Sequence, residues 1–173
     1  MTAISNEIKE CAIYRIDEST RMVSKCLDSL KESELWKKPN PVSNSMGNLV
    51  VHLCGNITQY IIASLGEQPD TRHRDLEFSI TEGYNKEELL KMLIATTQNA
   101  KEVIKAASDD QLLKVRSVQG FKLSGIGIIL HVVEHYSYHT GQIAYWTKIV
   151  NNKDLGFYDD FDLNIKNDQP NAD

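Results

Sequence analysis

Residues 131–142 read His131-Val-Val-Glu134-His135-Tyr-Ser-Tyr138-His139-Thr-Gly141-Gln142, and hold three of the chain's five histidines. His131, His135 and His139 are spaced by four. On a helix, side chains four apart lie one turn above each other, so the spacing predicts one stripe of imidazoles. The flanks are apolar, with Ile126, Ile128, Ile129, Leu130, Val132 and Val133 before and Ile143, Ala144, Tyr145 and Trp146 after. A helix apolar nearly all round is expected to be buried. Buried imidazoles with no anionic partner nearby are costly unless something uses their lone pairs. A metal ion is the simplest such partner.

Working outward, a second helix is expected from about Ser45 to Leu65, with Ser43 or Asn44 as N-cap and Gly66 as its stop. On it, Asn48, His52 and Asn56 again lie four apart, among Leu49, Val50, Val51, Leu53, Ile57, Tyr60, Ile61 and Ile62. Alone, His52 reads as a core histidine; facing the other stripe, it becomes a third candidate ligand. Residues 3–31 lack Gly and Pro and carry apolar residues at helical spacing, which predicts a long amphipathic helix with Glu7, Lys9, Glu10 and others as its solvated face. Residues 32–44 are a connector, since Pro39 and Pro41 extend the backbone before them, with Trp36 expected to cap the core. Residues 66–84 form a long polar connection, where Arg72 and Arg74 could bind an anion or pair with Asp70, Asp75 or Glu77, and His73 is expected at the surface. Asn85 with Glu88 resembles a capping box for a helix running to about Ala107. A short turn is expected at 108–113, and irregular chain, briefly extended with Gly120 as a turn, at 114–123. The helix of the opening stretch is expected from near Ser124 to Val150. Leu155, Phe157, Tyr158 and Phe161 are expected to dock on the bundle.

These segments predict an all-α four-helix bundle. The expected division is one domain, residues 1–163, and a flexible tail, 164–173. The 173 residues suffice for one core. A net charge of −5 without a basic cluster argues against a nucleic-acid partner. No apolar run reaches the ~18 residues of a membrane span. Met1–Glu10 has neither the basic nor the apolar region of a signal peptide. Cys11, Cys26 and Cys54, odd in number and without CxxC spacing, fit a reducing cytoplasm.

A His pair four apart on one helix, completed by a His from a facing helix, holds an ion with three protein ligands and leaves positions open, as catalytic sites do. Spacing alone does not choose between His131/His135 and His135/His139. Resemblance does. The run His131-x3-His135-x2-Tyr138-His139-x-Gly141-Gln142-Ile143 resembles the DinB/YfiT-like superfamily of metal-dependent bundles. So do His52-Leu53-x-Gly55-Asn56, Pro41-x2-Asn44-Ser45 and Leu155-Gly-Phe-Tyr158. The resemblance covers residues 5–162. It implies an up-down-down-up bundle, His52, His135 and His139 as ligands of a divalent metal such as zinc or nickel, His131 as a residue behind the ligands or in the wall of the site, and a homodimer.

Relatives in that superfamily include bacillithiol- and mycothiol-dependent S-transferases. The resemblance therefore implies a low-molecular-weight thiol and a small electrophile as partners, the thiol being activated at the metal. Asn48, Glu134 and Gln142 are the candidates for catalytic roles, with Asn56 and Tyr138 beside them. Two alternatives stand: a non-catalytic stress-response or interaction bundle with a structural or vestigial site, and a metal-dependent hydrolase. The hydrolase reading comes from His131-Val-Val-Glu134-His135, which matches H-x-x-E-H with Glu134 as base; that motif needs a third ligand from a larger domain.

Overall fold

The computed structural model describes residues 2–166; the expected tail lies outside the described residues from 167 on. Four long helices form the bundle: α1 (Ala3–Ser29), α2 (Met46–Ile57), α4 (Lys86–Ala106) and α6 (Gly125–Asn151). Between them lie two short helices, α3 (Arg74–Ser79) and α5 (Asp109–Leu113), and two strands, β1 (Val115–Val118) and β2 (Phe121–Ser124).

Contacts between helices fix their directions. Thr20 meets Tyr136 and Ser29 meets Asn151, so α1 and α6 run parallel. Lys9 meets Lys105 and Asp17 meets Lys101, so α4 returns antiparallel to α1. His52 meets His135 and Asn56 meets His131, so α2 is antiparallel to α6. The result is the up-down-down-up order. One core runs through it, with Ile16, Val23 and Leu27 from α1, Leu53 and Ile57 from α2, Leu89, Leu93 and Ile104 from α4, and Ile129, Val132, Tyr136 and Ile143 from α6. Each such buried side chain contributes roughly 1.5–3 kcal/mol.

The helix starts follow local chemistry. Asn85 and Glu88 form the expected capping box. For α2 the cap is Ser45, one residue after the expected Asn44 and two after Ser43. Its hydroxyl and the Asn48 side chain close a reciprocal box, which Asn44 could not make with Gly47. α2 continues as a π-helix over Thr58–Leu65, seen in the Gly66 N–H to Ile61 carbonyl and Gln68 N–H to Ala63 carbonyl bonds. Wide turns of this kind are frequent at functional sites.

Several expectations are corrected. Residues 115–124 are extended with Gly120 in a turn, as expected, but the two extended pieces pair as an antiparallel hairpin rather than lying in irregular chain. Its two-residue turn places Gln119 and Gly120 at φ of 50° and 83°, the primed geometry that suits a hairpin. Lys9 is not on a solvated face. It is buried, and its ammonium donates to the Lys105 and Ala107 carbonyls at the end of α4, where the helix dipole favours a cation. α6 is not buried all round: Leu130, Tyr138, Tyr145 and Ile149 are each more than half exposed, on one outer stripe. Leu155 and Phe157 dock on the core, but Phe161 stays exposed. Trp36 packs against the core as expected, its Nε1–H donating to the Tyr84 carbonyl.

Candidate metal centre

α2 and α6 face each other across the bundle with His52, His135 and His139 at their contact. His52 Nε2 lies 3.2 Å from His135 Nε2, and His139 Nε2 lies 3.3 Å from the same atom. All three offer a ligand nitrogen within 4.8 Å of the others. His52 and His139 are 5% and 8% exposed, while His135 keeps partial access to solvent. The ring of Phe78 leans on His52 at 4.7 Å between centroids, and that of Tyr138 stands edge-on to His139 at 4.9 Å.

The tautomers follow from the partners. His52 Nδ1 is 2.8 Å from Glu77 Oε2, which can only accept, and 3.2 Å from Arg72 Nη2, whose shorter bond goes to that same oxygen, so Nδ1 carries the hydrogen and Nε2 the lone pair. His139 Nδ1 is 2.7 Å from Gln142 Oε1, whose amide nitrogen donates in turn to the Tyr138 hydroxyl. Two Nε2 lone pairs therefore point at His135 Nε2. One hydrogen on His135 could serve only one of them well, and the other would face a filled orbital. A cation between the three rings removes the conflict. Nitrogens bound tetrahedrally at ~2.0–2.1 Å from zinc lie roughly 3.3 Å apart, which is the spacing found between His135 and its two partners. The donor set fits a divalent ion.

Burial, and after it the neighbouring imidazoles, push His135 down to about 3. Burial likewise lowers His139 against the raising effect of Gln142. These rings are thus neutral and ready to bind at neutral pH. Burial works to raise Glu77, but the Arg72 guanidinium and the His52 N–H outweigh it and hold the carboxyl below the usual range.

The Glu77–Arg72 pair is the part of the site that sequence reasoning missed as such. Arg72 Nε and Nη2 grip the two Glu77 oxygens at 2.7 and 2.8 Å, a bidentate pair. Its side chain is 3% exposed, and Nη1 is tied to Gln59 Oε1. Gly55 makes room for the pair: a Cβ there would lie 2.0 Å from Glu77 Oε1. The motif glycine three residues after His52 was the available signal. A carboxylate behind a histidine ligand fixes the ring and raises its basicity.

The remaining candidates fall elsewhere. Asn48 is fully buried, and its amide is committed to backbone: it accepts from Ser45 and donates to the Glu77 and Ile80 carbonyls, anchoring α3. Glu134 is exposed beside the groove between α1 and α6 and is not in the histidine cluster. Gln142 orients His139, and Tyr138 is the exposed hydroxyl behind it. His131 is held between Tyr60, at 4.1 Å, and His135, at 5.6 Å between centroids. Arg74 lies over Phe78 at 4.8 Å, and His73 is exposed. Cys54 is buried in the core, and burial pushes its thiol up to about 12, so it offers no thiolate.

The four-helix bundle is shared with DinB-like proteins of solved structure. A DinB-like protein of Bacillus subtilis, YjoA, superposes with a TM-score of 0.66 over 85% of this chain and 96% of its own, at 16% identity. A conserved protein of Enterococcus faecalis gives 0.70 over 88% and 99%, and a DinB-like protein of Bacillus cereus 0.63 over 82% and 91%, both also at 16% identity. At that identity the likeness is one of fold. No match is found among curated proteins. The chain belongs to the family described as "Protein of unknown function (DUF1572)", whose model matches residues 3–158.

Proposed function

We propose that the protein is a metal-dependent enzyme of the thiol S-transferase type, with His52, His135 and His139 holding zinc or nickel. The observation that carries this reading is charge. The three ligands are imidazoles, a donor type that brings no negative charge, and the carboxylate behind His52 is cancelled by Arg72. An ion held this way would keep its full charge and would favour an anionic ligand. Bound there, the ion would lower the pKa of a low-molecular-weight thiol so that it is present as thiolate. The chain's own groups do the rest. Glu77 and Gln142 keep the imidazoles aimed, and Phe78 and Tyr138 flank the two deepest rings. The sulfur forms a bond to an electrophilic carbon as that carbon's bond to its leaving group, or to an epoxide oxygen, breaks. The thiol proton passes to solvent or to the leaving oxygen. No protein cysteine takes part. The unpaired Cys11, Cys26 and Cys54 fit a cytoplasmic setting for such chemistry.

The reading predicts that untagged protein binds close to one zinc or nickel per chain. It also predicts that the loaded protein conjugates bacillithiol, mycothiol or a simple thiol to a model epoxide or haloarene faster than the chelated protein. Metal binding without any thiol transfer would instead favour a structural or vestigial site in an interaction bundle.

A homodimer is part of the proposal. The outer stripe of α6 exposes Leu130, Tyr138, Tyr145 and Ile149, with Glu134 among them, and Gly141 within it has open space where a Cβ would be. Glycine in a helix interior costs about 1 kcal/mol, and among the described residues nothing lies where its Cβ would be. A second copy packing α6 on α6 would use both the exposed stripe and the close approach that glycine permits. Sedimentation of the full chain as a dimer, shifted to monomer by Tyr145→Glu, is the expected result; a monomeric wild type at micromolar concentration removes the dimer.

A further inference from the structure

The chemistry proposed above joins two reactants, and a metal ion holds only one of them. Next to the histidine cluster, the seam between α2 and α6 opens into a cavity of about 480 Å³. Helix spacing fixes its place. Leu49 comes three residues before His52 on α2, and Ile143 four after His139 on α6, so both wall residues lie one turn from a candidate ligand. Gln142 belongs to both places: it lines the cavity, and its Oε1 faces His139 Nδ1 at 2.7 Å. Pro39 and Val42 of the connector supply a further wall.

The chemistry of the walls is one-sided. Met46 and Ile143 are buried and Leu49 nearly so, whereas Val42 on the rim is 93% exposed. No charged side chain lines the cavity. Its rim is polar in places, but Asn40 and Ser43 bond each other, and Gln142 is committed to His139 and Tyr138. The groove between α1 and α6 differs, because Arg15, Glu18 and Glu134 line it. So does the cavity behind Glu77, where Arg72 and His73 join that carboxylate. A charged group brought into apolar walls loses hydration that nothing there replaces. A volume of this size with mostly apolar walls and few polar groups is what small-molecule sites show.

We propose that this cavity is the subsite for the electrophile, and that it selects an uncharged aryl or alkyl compound. The apolar body lies against Leu49, Ile143 and Trp146, with the reactive carbon directed along the seam toward the histidine cluster. The charged groups of the thiol stay outside. The bonds are those already described: carbon–sulfur forms as the carbon–leaving-group or epoxide carbon–oxygen bond breaks, and the thiol proton goes to solvent or to the leaving oxygen. The inference rests on the transferase reading for the reaction and on the cavity alone for the selectivity.

Methionine methyl groups read the cavities separately. Met46 lines this one, Met22 the groove between α1 and α6, and Met92 the cavity behind Glu77. The full chain, metal-free and zinc-loaded, is titrated with benzyl alcohol while 13C-methyl methionine spectra are recorded. Benzoate and benzylammonium serve as charged probes of similar shape. Benzyl alcohol is expected to shift Met46 saturably in both forms and to leave Met22 and Met92 in place, with each charged probe binding at least about tenfold more weakly. Val42→Lys, at an exposed rim position that leaves the fold intact, should narrow the gap for benzoate. One methylene in an apolar pocket is worth roughly 10–200-fold in kcat/KM, so zinc-loaded protein with a thiol should favour styrene oxide over glycidol by at least that much. Movement of Met22 or Met92 instead, no movement at all, or benzoate binding as tightly as the alcohol overturns the assignment. So does a Met46 signal that follows protein concentration and not the probe, which gives this face to a second copy. Selective binding at Met46 with no preference for styrene oxide removes the role as electrophile subsite. The same binding in a protein that takes up no zinc removes the transferase reading and keeps the selectivity of the cavity.

Discussion

His135→Ala is expected to abolish stoichiometric zinc binding and to flatten the acid dependence of the metal-free protein. The first effect should exceed the roughly 10–100-fold loss caused by removing an orienting partner, because His135 is the ring whose Nε2 meets both others. The second follows from linkage. An unfolded histidine titrates near 6.5, whereas the folded His135 is pushed down to about 3. Below 6.5 the unfolded chain takes up a proton that the folded chain refuses. Stability is therefore full above that pH and falls as pH drops toward 3. Between pH 7 and 5 this one group costs the wild type on the order of 2 kcal/mol. Urea melts of the metal-free protein at the two pH values should show the wild type losing that much more than the variant. Equal losses would mean that His135 is not held neutral in the fold, and unchanged zinc affinity would remove it from the ligand set.

Glu77→Ala is expected to be the more destructive change to the fold itself. Arg72 would remain buried, its Nε and Nη2 donors facing a cavity where the carboxylate had been. Breaking a buried pair by deleting one partner costs about 3–5 kcal/mol, since the surviving charge has no compensation. His52 would lose its Nδ1 acceptor at the same time, so zinc affinity should fall as well. Gly55→Ala attacks the same contact from the opposite side, because its new Cβ would collide with Glu77 Oε1. Chemical denaturation and zinc titration of both variants check this. Glu77→Gln, which keeps the volume and an acceptor oxygen, should fall between them and wild type. If Glu77→Ala melted like wild type, the pair would be a surface contact rather than the support of His52.

The sequence made some of this legible and hid the rest, for reasons that differ by residue. The histidine stripes could be read because a helix converts a spacing of four into a shared face, and two such stripes on apolar helices have few places to go but toward each other. The ends of α4 and α6 could be read because Asn85 and Ser124 are capping residues directly before periodic runs. Glu77 could be named only as one of three acids that Arg72 might reach. Its contact with His52 spans 25 positions and comes from a non-periodic loop, so nothing local distinguishes it from Asp70 or Asp75. Lys9 looked solvated because its partners are backbone carbonyls, which carry no side-chain signature. The hairpin was hidden because its strands are four residues long and its turn uses Gln119 where Asn or Asp is usual. The π-helix left no mark, since Tyr60, Ile61 and Leu65 are buried whichever way the turns are wound.

α2 and α4 run parallel, so the chain between them must travel back along the length of the bundle before α4 can begin. That return is unavoidable in this topology, and residues 66–84 put it to use: they carry Arg72, Glu77 and Phe78 to the back and rim of the histidine cluster. The four-helix framework and the surroundings of the site are thus separable by construction. A differently composed return segment could be grafted between Gly66 and Asn85 to retune the centre while the helices that supply the three imidazoles stay as they are. The crossover is a natural cassette for diversification, by evolution or by design.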